Sequence, residues 1–153
     1  MGALGFKMIF QDEPSDFHPK FEVVSCFIET KGEILLLHRQ DHKPEGNTWG
    51  VPAGKVDPNE TISEAMTREI REETGIKISF SIMKYFGKLY VRYPNCDFVY
   101  HTFGVQINKP QKVILNIKEH KDFKWLSPKD ALNLPFVKDM DSCIKLFYNI
   151  KMT

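Results

Sequence analysis

The chain has 153 residues, of which 42% are hydrophobic and 27% charged, and these proportions are typical of one globular domain. Lysine and arginine total 21 and aspartate and glutamate total 20, so the formal net charge is +1. This balance argues against double-stranded nucleic acid and against an anionic membrane surface as partners. A polyanionic substrate must then be held by local charge or by a metal ion.

The cysteines, Cys26, Cys96 and Cys143, are widely spaced and form no CxxC pair. Their number and spacing argue against a disulfide framework and against a structural zinc site. We therefore expect a reducing compartment, with the cytoplasm as the simplest location. Because the sequence has no run of about 18 apolar residues, we expect no transmembrane helix.

The first part of the chain predicts a lead-in segment followed by a hairpin. Residues 1–20 are of mixed composition and predict a tail or a short lead-in strand, ahead of one domain over residues 21–150. Residues 21–30 are rich in valine, isoleucine and phenylalanine, which favours a strand. Lys31-Gly32 predicts a turn into a second strand at 33–39, so that the two strands form a hairpin.

The middle of the chain alternates between loops and long strands. Residues 40–48 and 49–59 are rich in glycine, proline, asparagine and aspartate and predict a loop and then an irregular segment. Residues 76–91 and 97–107 predict two long strands, which are joined by a turn at Tyr93-Pro94-Asn95.

The end of the chain predicts a short strand at 122–126 and two helices. The first helix is short and begins at Ser127-Pro128, with serine as the cap and proline at the first helical position. The second covers residues 138–150 and buries an apolar face formed by Met140, Ile144, Leu146 and Phe147. Together these elements predict a mixed α/β domain with helices packed on a sheet.

Residues 61–74 predict a helix with well-defined ends. Thr61 is the expected N-cap, and Glu64 is its partner in a capping box. Gly75 stands where a glycine commonly ends a helix. Between these ends, apolar residues recur at helical spacing and form one stripe, namely Ile62, Ala65, Met66 and Ile70.

This helix carries an acidic cluster near its C-terminal end. Glu69, Glu72 and Glu73 stand at positions i, i+3 and i+4 and so share one face. Their mutual repulsion and the helix dipole both oppose this arrangement. A divalent cation relieves both effects, and Mg²⁺ is commonly shared between carboxylates and substrate phosphates. The alternative interpretation is a solvated acidic face, which is the more common meaning of an acidic triplet taken alone.

The neighbours of the cluster favour the metal interpretation. Arg68 lies four residues before Glu72 and four after Glu64, so it can pair with either carboxylate. Gly54, in the preceding segment, allows close approach of the backbone to a ligand. A backbone carbonyl near Gly54 would complete a coordination sphere made of oxygen atoms.

Residues 54–76 resemble the Nudix box, which reads glycine, five residues, glutamate, seven residues and then Arg-Glu-aliphatic-X-Glu-Glu-X-Gly-aliphatic. Every fixed position is filled, and a chance match is on the order of one in a billion per starting position. The lead-in at 49–54 and the late strand at 123–126 also resemble the family. We therefore interpret the chain as similar to the Nudix hydrolases of the MutT-like type over roughly residues 21–150.

This resemblance implies an α/β/α sandwich with a mixed sheet and hydrolysis of a phosphoanhydride bond in a nucleotide. Position by position, it implies that Mg²⁺ or Mn²⁺ is bound by Glu69, Glu72 and Glu73, with the Gly54 carbonyl as a further ligand. Arg68 and Glu60 would orient these carboxylates. The expected partner is a small nucleotide, and homodimers are frequent among members of the family.

Two residues remain candidates for the general base, because family members place it either inside the box or on a loop outside it. Glu69 is the candidate inside the box. Glu119, in the segment 116–122, is the candidate on a loop, with a solvated loop carboxylate as the alternative. Arg39, at the end of an apolar strand, is a candidate for binding a substrate phosphate, with a surface ion pair as the alternative.

Two other functions stay open at this point. A Nudix-fold domain can bind nucleotides without catalysis, although an eroded box would then be expected. Isomerisation of a prenyl diphosphate is a smaller option, since it needs an additional cysteine and glutamate pair that the sequence does not indicate.

Overall fold

The computed structural model describes residues 8–135 and 140–148, and within them it contains a mixed sheet of eight strands. These strands are β1 (Met8–Phe10), β2 (Pro19–Thr30), β3 (Glu33–Arg39), β4 (Trp49–Gly50), β5 (Ala53–Lys55), β6 (Lys84–Tyr93), β7 (Cys96–Gln106) and β8 (His120–Leu126). The sheet order is β1-β6-β7-β2-β3-β4, while β5 pairs with β2 and β8 pairs with β3. Strands β2 and β7 run parallel and the other pairs are antiparallel, so the expected mixed sheet is confirmed.

The helices are α1 (Ile62–Thr74), α2 (Pro128–Ala131) and α3 (Met140–Tyr148), and a 3₁₀-helix covers Phe80–Ile82. Helix α1 has the expected ends. The Thr61 hydroxyl accepts a hydrogen bond from the backbone N–H of Glu64, and the Glu64 carboxylate accepts one from the backbone N–H of Thr61. Gly75 adopts the left-handed conformation at φ 74° and donates its N–H to the Arg71 carbonyl.

Helices α1 and α3 cover opposite faces of the sheet. Strand β2 alternates between them, since Cys26 packs with Met66 of α1 whereas Phe27 packs with Ile144 of α3. Each of these four side chains is at most 1% exposed. Burial of a large apolar side chain is worth roughly 1.5–3 kcal/mol, so α1 is held mainly by its apolar stripe. This layering is the expected α/β/α sandwich.

In the first half of the chain, the expected hairpin around Lys31-Gly32 is confirmed, whereas the expectation for residues 49–59 needs correction. The hairpin of β2 and β3 is paired only at Glu29–Ile34 and Thr30–Glu33, because β3 continues against β8 and β2 continues against β5. The segment 49–59 is not wholly irregular, because it contains β4 and β5. These short strands place the backbone of Ala53 and Gly54 beside the centre of β2.

The second half departs from expectation at three points. Residues 76–79 are not part of a strand, because Ser79 caps the 3₁₀-helix and β6 begins only at Lys84. Strand β8 begins two residues before the expected start at 122. Leu146 is 44% exposed, so the prediction that it is buried was wrong, whereas Ile144 is fully buried. The expected ends of the last helix, and the side chain of Met140, lie outside the described residues.

The lead-in segment contains strand β1, which pairs with β6. Phe17 follows it and is buried with its ring edge against Tyr90, 5.3 Å between ring centroids. Among the helices of residues 8–135 and 140–148, none has the length and apolarity required to cross a bilayer.

Candidate active site

Helix α1 places two of its acidic side chains against strand β5. Glu73 is buried, with 8% of its surface exposed, and its Oε1 accepts a hydrogen bond from the backbone N–H of Ala53 at 3.0 Å. Burial raises the pKa of Glu73 well above its usual range, and the negative charge of Glu69 adds to this effect. A buried carboxylate in such surroundings is stabilised by any cation that binds beside it.

Glu69 lies directly against the backbone of Gly54. A Cβ atom on Gly54 would overlap the carboxyl group of Glu69, so no larger residue fits here without displacing that side chain. Burial raises the pKa of Glu69, although its hydrogen bond from Arg68 acts in the opposite direction. The glycine of the box is therefore explained by close packing between a backbone and a carboxylate.

Arg68 connects the acidic residues of the site. Its Nε donates to Glu60 Oε2 at 2.7 Å, and its Nη1 donates to Glu69 Oε1 at 2.8 Å and to Glu72 Oε1 at 3.1 Å. Its Nη2 donates to the backbone carbonyl of Lys55 at 3.0 Å and to the second oxygen of Glu60 at 2.9 Å. One guanidinium thus fixes the orientation of three carboxylates, as its planar set of donors allows.

Glu60 is held from both sides. Hydrogen bonds from Arg68 and from the backbone N–H of Asp57 lower the pKa of Glu60 to about 2. The expected pairing of Arg68 with Glu72 is present, but the alternative pairing with Glu64 is absent from the contacts of Arg68. The reason is that Glu64 is engaged by the N-terminal cap of α1.

The two candidates outside the box, Glu119 and Arg39, both contact the loop of residues 40–48. Glu119 pairs through Oε1 with Lys43 Nζ at 3.1 Å. Burial is the main cause of the raised pKa of Glu73, to which the charge of Glu119 adds and which the charge of Arg39 opposes. The Nε of Arg39 donates to the carbonyl of Pro44 at 2.9 Å, so this guanidinium is tied to its own loop.

Sequence reasoning missed the partners of two candidate site residues, namely Ala53 for Glu73 and Lys43 for Glu119. Ala53 acts through its backbone N–H, and no residue pattern marks that role. Lys43 lies in a polar loop, where nothing in the sequence separates it from other exposed lysines. The pairing of Arg39 with His120 across β3 and β8, and the hydrogen bond from the Gln40 N–H to the Glu119 carbonyl, bring that loop next to Glu119.

The residues present fit a hard divalent cation in their chemistry. All donors are oxygen atoms, and the buried Glu73 carboxylate has a neutral donor rather than a cation as its hydrogen-bond partner. Within residues 8–135 and 140–148, no three acidic, histidine or cysteine side chains converge into a preformed cage. Mg²⁺ does not need one, because it usually keeps several waters and binds one or two carboxylates together with substrate phosphates.

The chain matches the model of the NUDIX domain over residues 19–147. It belongs to the NUDIX domain family. A CTP pyrophosphohydrolase of Escherichia coli strain K12 is 32% identical over 114 residues, which cover 74% of this chain and 81% of that protein. The family and this relative identify the chain as a Nudix-type pyrophosphohydrolase that acts on nucleoside diphosphate derivatives.

Two solved structures agree with the fold of this NUDIX domain. The MutT protein of Methanosarcina mazei Go1 superposes with a TM-score of 0.74 at 25% identity and covers 86% of this chain and 94% of its own. The NUDIX domain of Shewanella oneidensis NrtR, complexed with ADP ribose, superposes with a TM-score of 0.73 at 20% identity, covering 90% of this chain and 92% of that chain. The second likeness concerns the fold alone.

Proposed function

We propose that this NUDIX domain hydrolyses a phosphoanhydride bond in a nucleoside triphosphate, or in a nucleoside diphosphate linked to another group, with Mg²⁺ or Mn²⁺ as cofactor. The observation that carries the proposal is the buried Glu73 carboxylate beside the closely packed pair of Glu69 and Gly54. Burial without a cationic hydrogen-bond partner costs stability, and a metal-binding role accounts for retaining it.

The metal would be held by Glu69, Glu72 and Glu73, with the Gly54 carbonyl as a further ligand. When bound, such an ion neutralises phosphate charge and lowers the pKa of a coordinated water. Arg68 orients the Glu69 carboxylate through its hydrogen bond of 2.8 Å.

Glu60 in turn fixes the guanidinium of Arg68 through two hydrogen bonds. Residues that orient metal ligands in this way commonly contribute 10- to 100-fold to affinity or activity.

The proton of the attacking water would be accepted by Glu69 or by Glu119. Glu69 is itself one of the proposed metal-binding carboxylates; burial raises its pKa, and the hydrogen bond from Arg68 acts in the opposite direction. Glu119 lies outside the box and pairs with Lys43. The roles of general base and metal ligand can be distinguished by experiment. Loss of a general base changes the pH profile of kcat, whereas loss of a metal ligand changes the dependence of kcat on metal concentration.

The likeness to a CTP pyrophosphohydrolase supports testing CTP first among the candidate substrates. Arg39, whose charge acts on the pKa of Glu73, is the candidate for a charge-assisted contact with a substrate phosphate. Such charge-assisted contacts are stronger than neutral hydrogen bonds.

The test is release of phosphate and pyrophosphate from a panel with Mg²⁺ and with Mn²⁺. The panel contains CTP, the other nucleoside triphosphates, ADP-ribose, NADH, nucleotide sugars and dinucleoside polyphosphates. We expect E73Q to lower kcat roughly 10²- to 10⁴-fold. The proposed metal ligands Glu69, Glu72 and Glu73 act as a unit, and loss of one member of such a unit removes most of the effect of the whole on kcat. The matched control is E33Q, at the exposed first residue of β3, which should leave kcat unchanged. Turnover that survives unaltered in E73Q would contradict the proposal.

A binding domain without turnover is the second candidate. The NUDIX domain of Shewanella oneidensis NrtR has this fold and was crystallised with ADP ribose, so ADP-ribose is the probe for binding without turnover. Calorimetry separates the two candidates, since tight binding of ADP-ribose without hydrolysis of any member of the panel would select the second.

A further inference from the structure

A cleft opens on the face of the sheet that α3 covers. Its volume is about 370 Å³, which is within the usual range for small-molecule sites. The carboxylates of α1 lie on the other face, because Val24, the partner of Gly54 in β2, packs with α1, whereas Phe27, which lines the cleft, packs with α3. The cleft is therefore separate from the candidate active site.

The walls of the cleft are largely aromatic. Phe27 is 1% exposed, and the ring centroids of Phe86 and Tyr148 lie 6.4 Å and 5.3 Å from its own. Gly104 also lines the cleft, and a Cβ atom there would overlap the ring of Phe86. Phe86 packs over this glycine but remains 37% exposed. A partly exposed ring beside a cavity offers a surface on which a planar heterocycle can stack.

Three polar side chains line the same cleft, namely Glu29, Lys84 and Gln106. The Gln106 Nε2 donates to Glu29 Oε2 at 3.3 Å, so the carboxylate has a neutral partner. Neither Glu29 nor Lys84 forms an ion pair within residues 8–135 and 140–148. The two charged groups are too far apart to pair with each other, so each can accept a partner from a bound molecule.

This lining fits a ligand that has a planar ring, a hydrogen-bond donor on the ring and an anionic group. A nucleoside monophosphate combines the three. An ionised carboxylate only accepts hydrogen bonds, so Glu29 suits a base with an exocyclic amino group. A phosphate forms charge-assisted hydrogen bonds with an ammonium group, which Lys84 supplies.

We propose that the cleft is a second nucleotide site, which binds a nucleoside monophosphate whose base carries an exocyclic amino group. The base stacks on Phe86, its amino group donates to Glu29, and the phosphate pairs with Lys84. Because Lys84 supplies the positive charge, binding at this site should not depend on a metal ion. A nucleoside monophosphate is also a product of releasing pyrophosphate from a nucleoside triphosphate, so the site would let the domain respond to such a product.

The test compares CMP with UMP, which have nearly the same shape but carry an amino group and a carbonyl oxygen, respectively, at the same ring position. Isothermal titration calorimetry of the full chain in EDTA measures each Kd, and the amide NMR signals of Gly104 and Gln106 report the location. We expect CMP to bind about 10-fold more tightly than UMP, because the uracil oxygen would face the Glu29 carboxylate without a donor. E29Q should reduce this preference to about threefold or less, since an amide both donates and accepts.

The phosphate contact is tested separately. We expect K84M to weaken CMP binding about 10-fold and to leave the binding of cytidine, which has no phosphate, unchanged. The matched control is K88M, because Lys88 belongs to the same strand but pairs with His101 and does not line the cleft. Its Kd for CMP should stay within about twofold of the wild type.

Any of five results would overturn this inference. They are no binding of CMP in EDTA, equal binding of CMP and UMP, an unchanged preference in E29Q, equal losses in K84M and K88M, and NMR shifts confined to Ala53 and Gly54. The last result would place the nucleotide at the candidate active site instead. None of these measurements uses turnover, so a chain that binds CMP in the cleft but hydrolyses no member of the panel would keep this inference and refute the proposed function.

Discussion

At residue 54, the absence of a side chain is what allows the site to form. The backbone of Gly54 packs directly against the side chain of Glu69, and a methyl group on residue 54 would occupy the position of the Glu69 carboxyl group. The box pattern marks this glycine, but only the packing explains it, since no positive φ is recorded at Gly54.

We expect G54A to lower kcat by roughly 10²-fold, because displaced catalytic groups lose their alignment with substrate. The free energy of unfolding should be affected much less than kcat, because the site lies at the edge of the apolar core. The matched control is G32A, which has a positive φ of 81° but no neighbouring atom within 4 Å of the added Cβ. Steady-state kinetics and urea unfolding of both variants would check this, and an active G54A would contradict the assigned packing.

His120 is a buried titratable residue next to Glu119. It is 5% exposed, and its Nδ1 has no hydrogen-bond partner among the described residues. Burial lowers the pKa of His120 to about 4, and the positive charge of Arg39 acts in the same direction. The folded chain therefore keeps this imidazole neutral in a pH range where the unfolded chain protonates it.

The consequence is a loss of stability in acid. Between pH 6.5 and pH 4 the unfolded state binds the extra proton, so the free energy of unfolding falls as pH falls, by about 2 kcal/mol from this group at pH 5. We expect H120Q to show a shallower decline between pH 7.5 and pH 5 in urea unfolding, whatever its stability at pH 7.5. H42Q, at an exposed histidine, should keep the wild-type slope, and equal slopes in all three proteins would refute the assignment.

At the scale of elements, helix α1 was predictable because its signals are local. The capping box, the apolar stripe and the terminal glycine all lie within fifteen residues, and each is present as expected. The predictions of secondary structure were wrong where pairing between distant segments of the chain determines whether a strand forms. Strands β4 and β5 are two and three residues long, and they exist because β3 and β2 offer free edges to them.

The N-terminal cap of α1 gives a prediction at this scale. T61A removes the hydroxyl that accepts the N–H of Glu64 and should lower the free energy of unfolding by about 1 kcal/mol. T61S keeps that acceptor and should remain close to the wild type. Thermal unfolding of both variants would check this. Equal losses of stability in T61A and T61S would show that the hydroxyl of residue 61 does not account for the loss.

At the scale of the whole molecule, the sheet separates two apolar cores. Helix α3 covers the core that contains Phe27. Ile144 is fully buried, whereas Leu146 is 44% exposed, although both fit the apolar stripe read from the sequence. We expect I144A to cost 2–5 kcal/mol and L146A less than about 0.5 kcal/mol. Urea unfolding of the two variants would measure the difference, and similar values would contradict the packing of α3.

Only the part of the site that lies on α1 and the segment before it was predictable from the sequence. Glu60, Arg68, Glu69, Glu72 and Glu73 lie on one helix and the segment before it, so their spacing alone indicates their proximity. The contacts of Glu119 and Lys121 with the loop of residues 40–48 join residues about 80 positions apart, next to the pairing of β3 with β8. Sequence spacing carries no information on such contacts, which is why Lys43 could not be identified beforehand.

The central claim is that the acidic end of α1 holds a divalent metal ion for hydrolysis. The most direct measurement is anomalous diffraction from crystals of the wild type and of E73Q, soaked with MnCl₂ and a non-hydrolysable nucleoside triphosphate. We predict a manganese peak in contact with the carboxylates of Glu69 or Glu73 in the wild type, and a weaker peak or none in E73Q. A wild-type map with bound nucleotide and no anomalous peak at this end of the helix would contradict the claim.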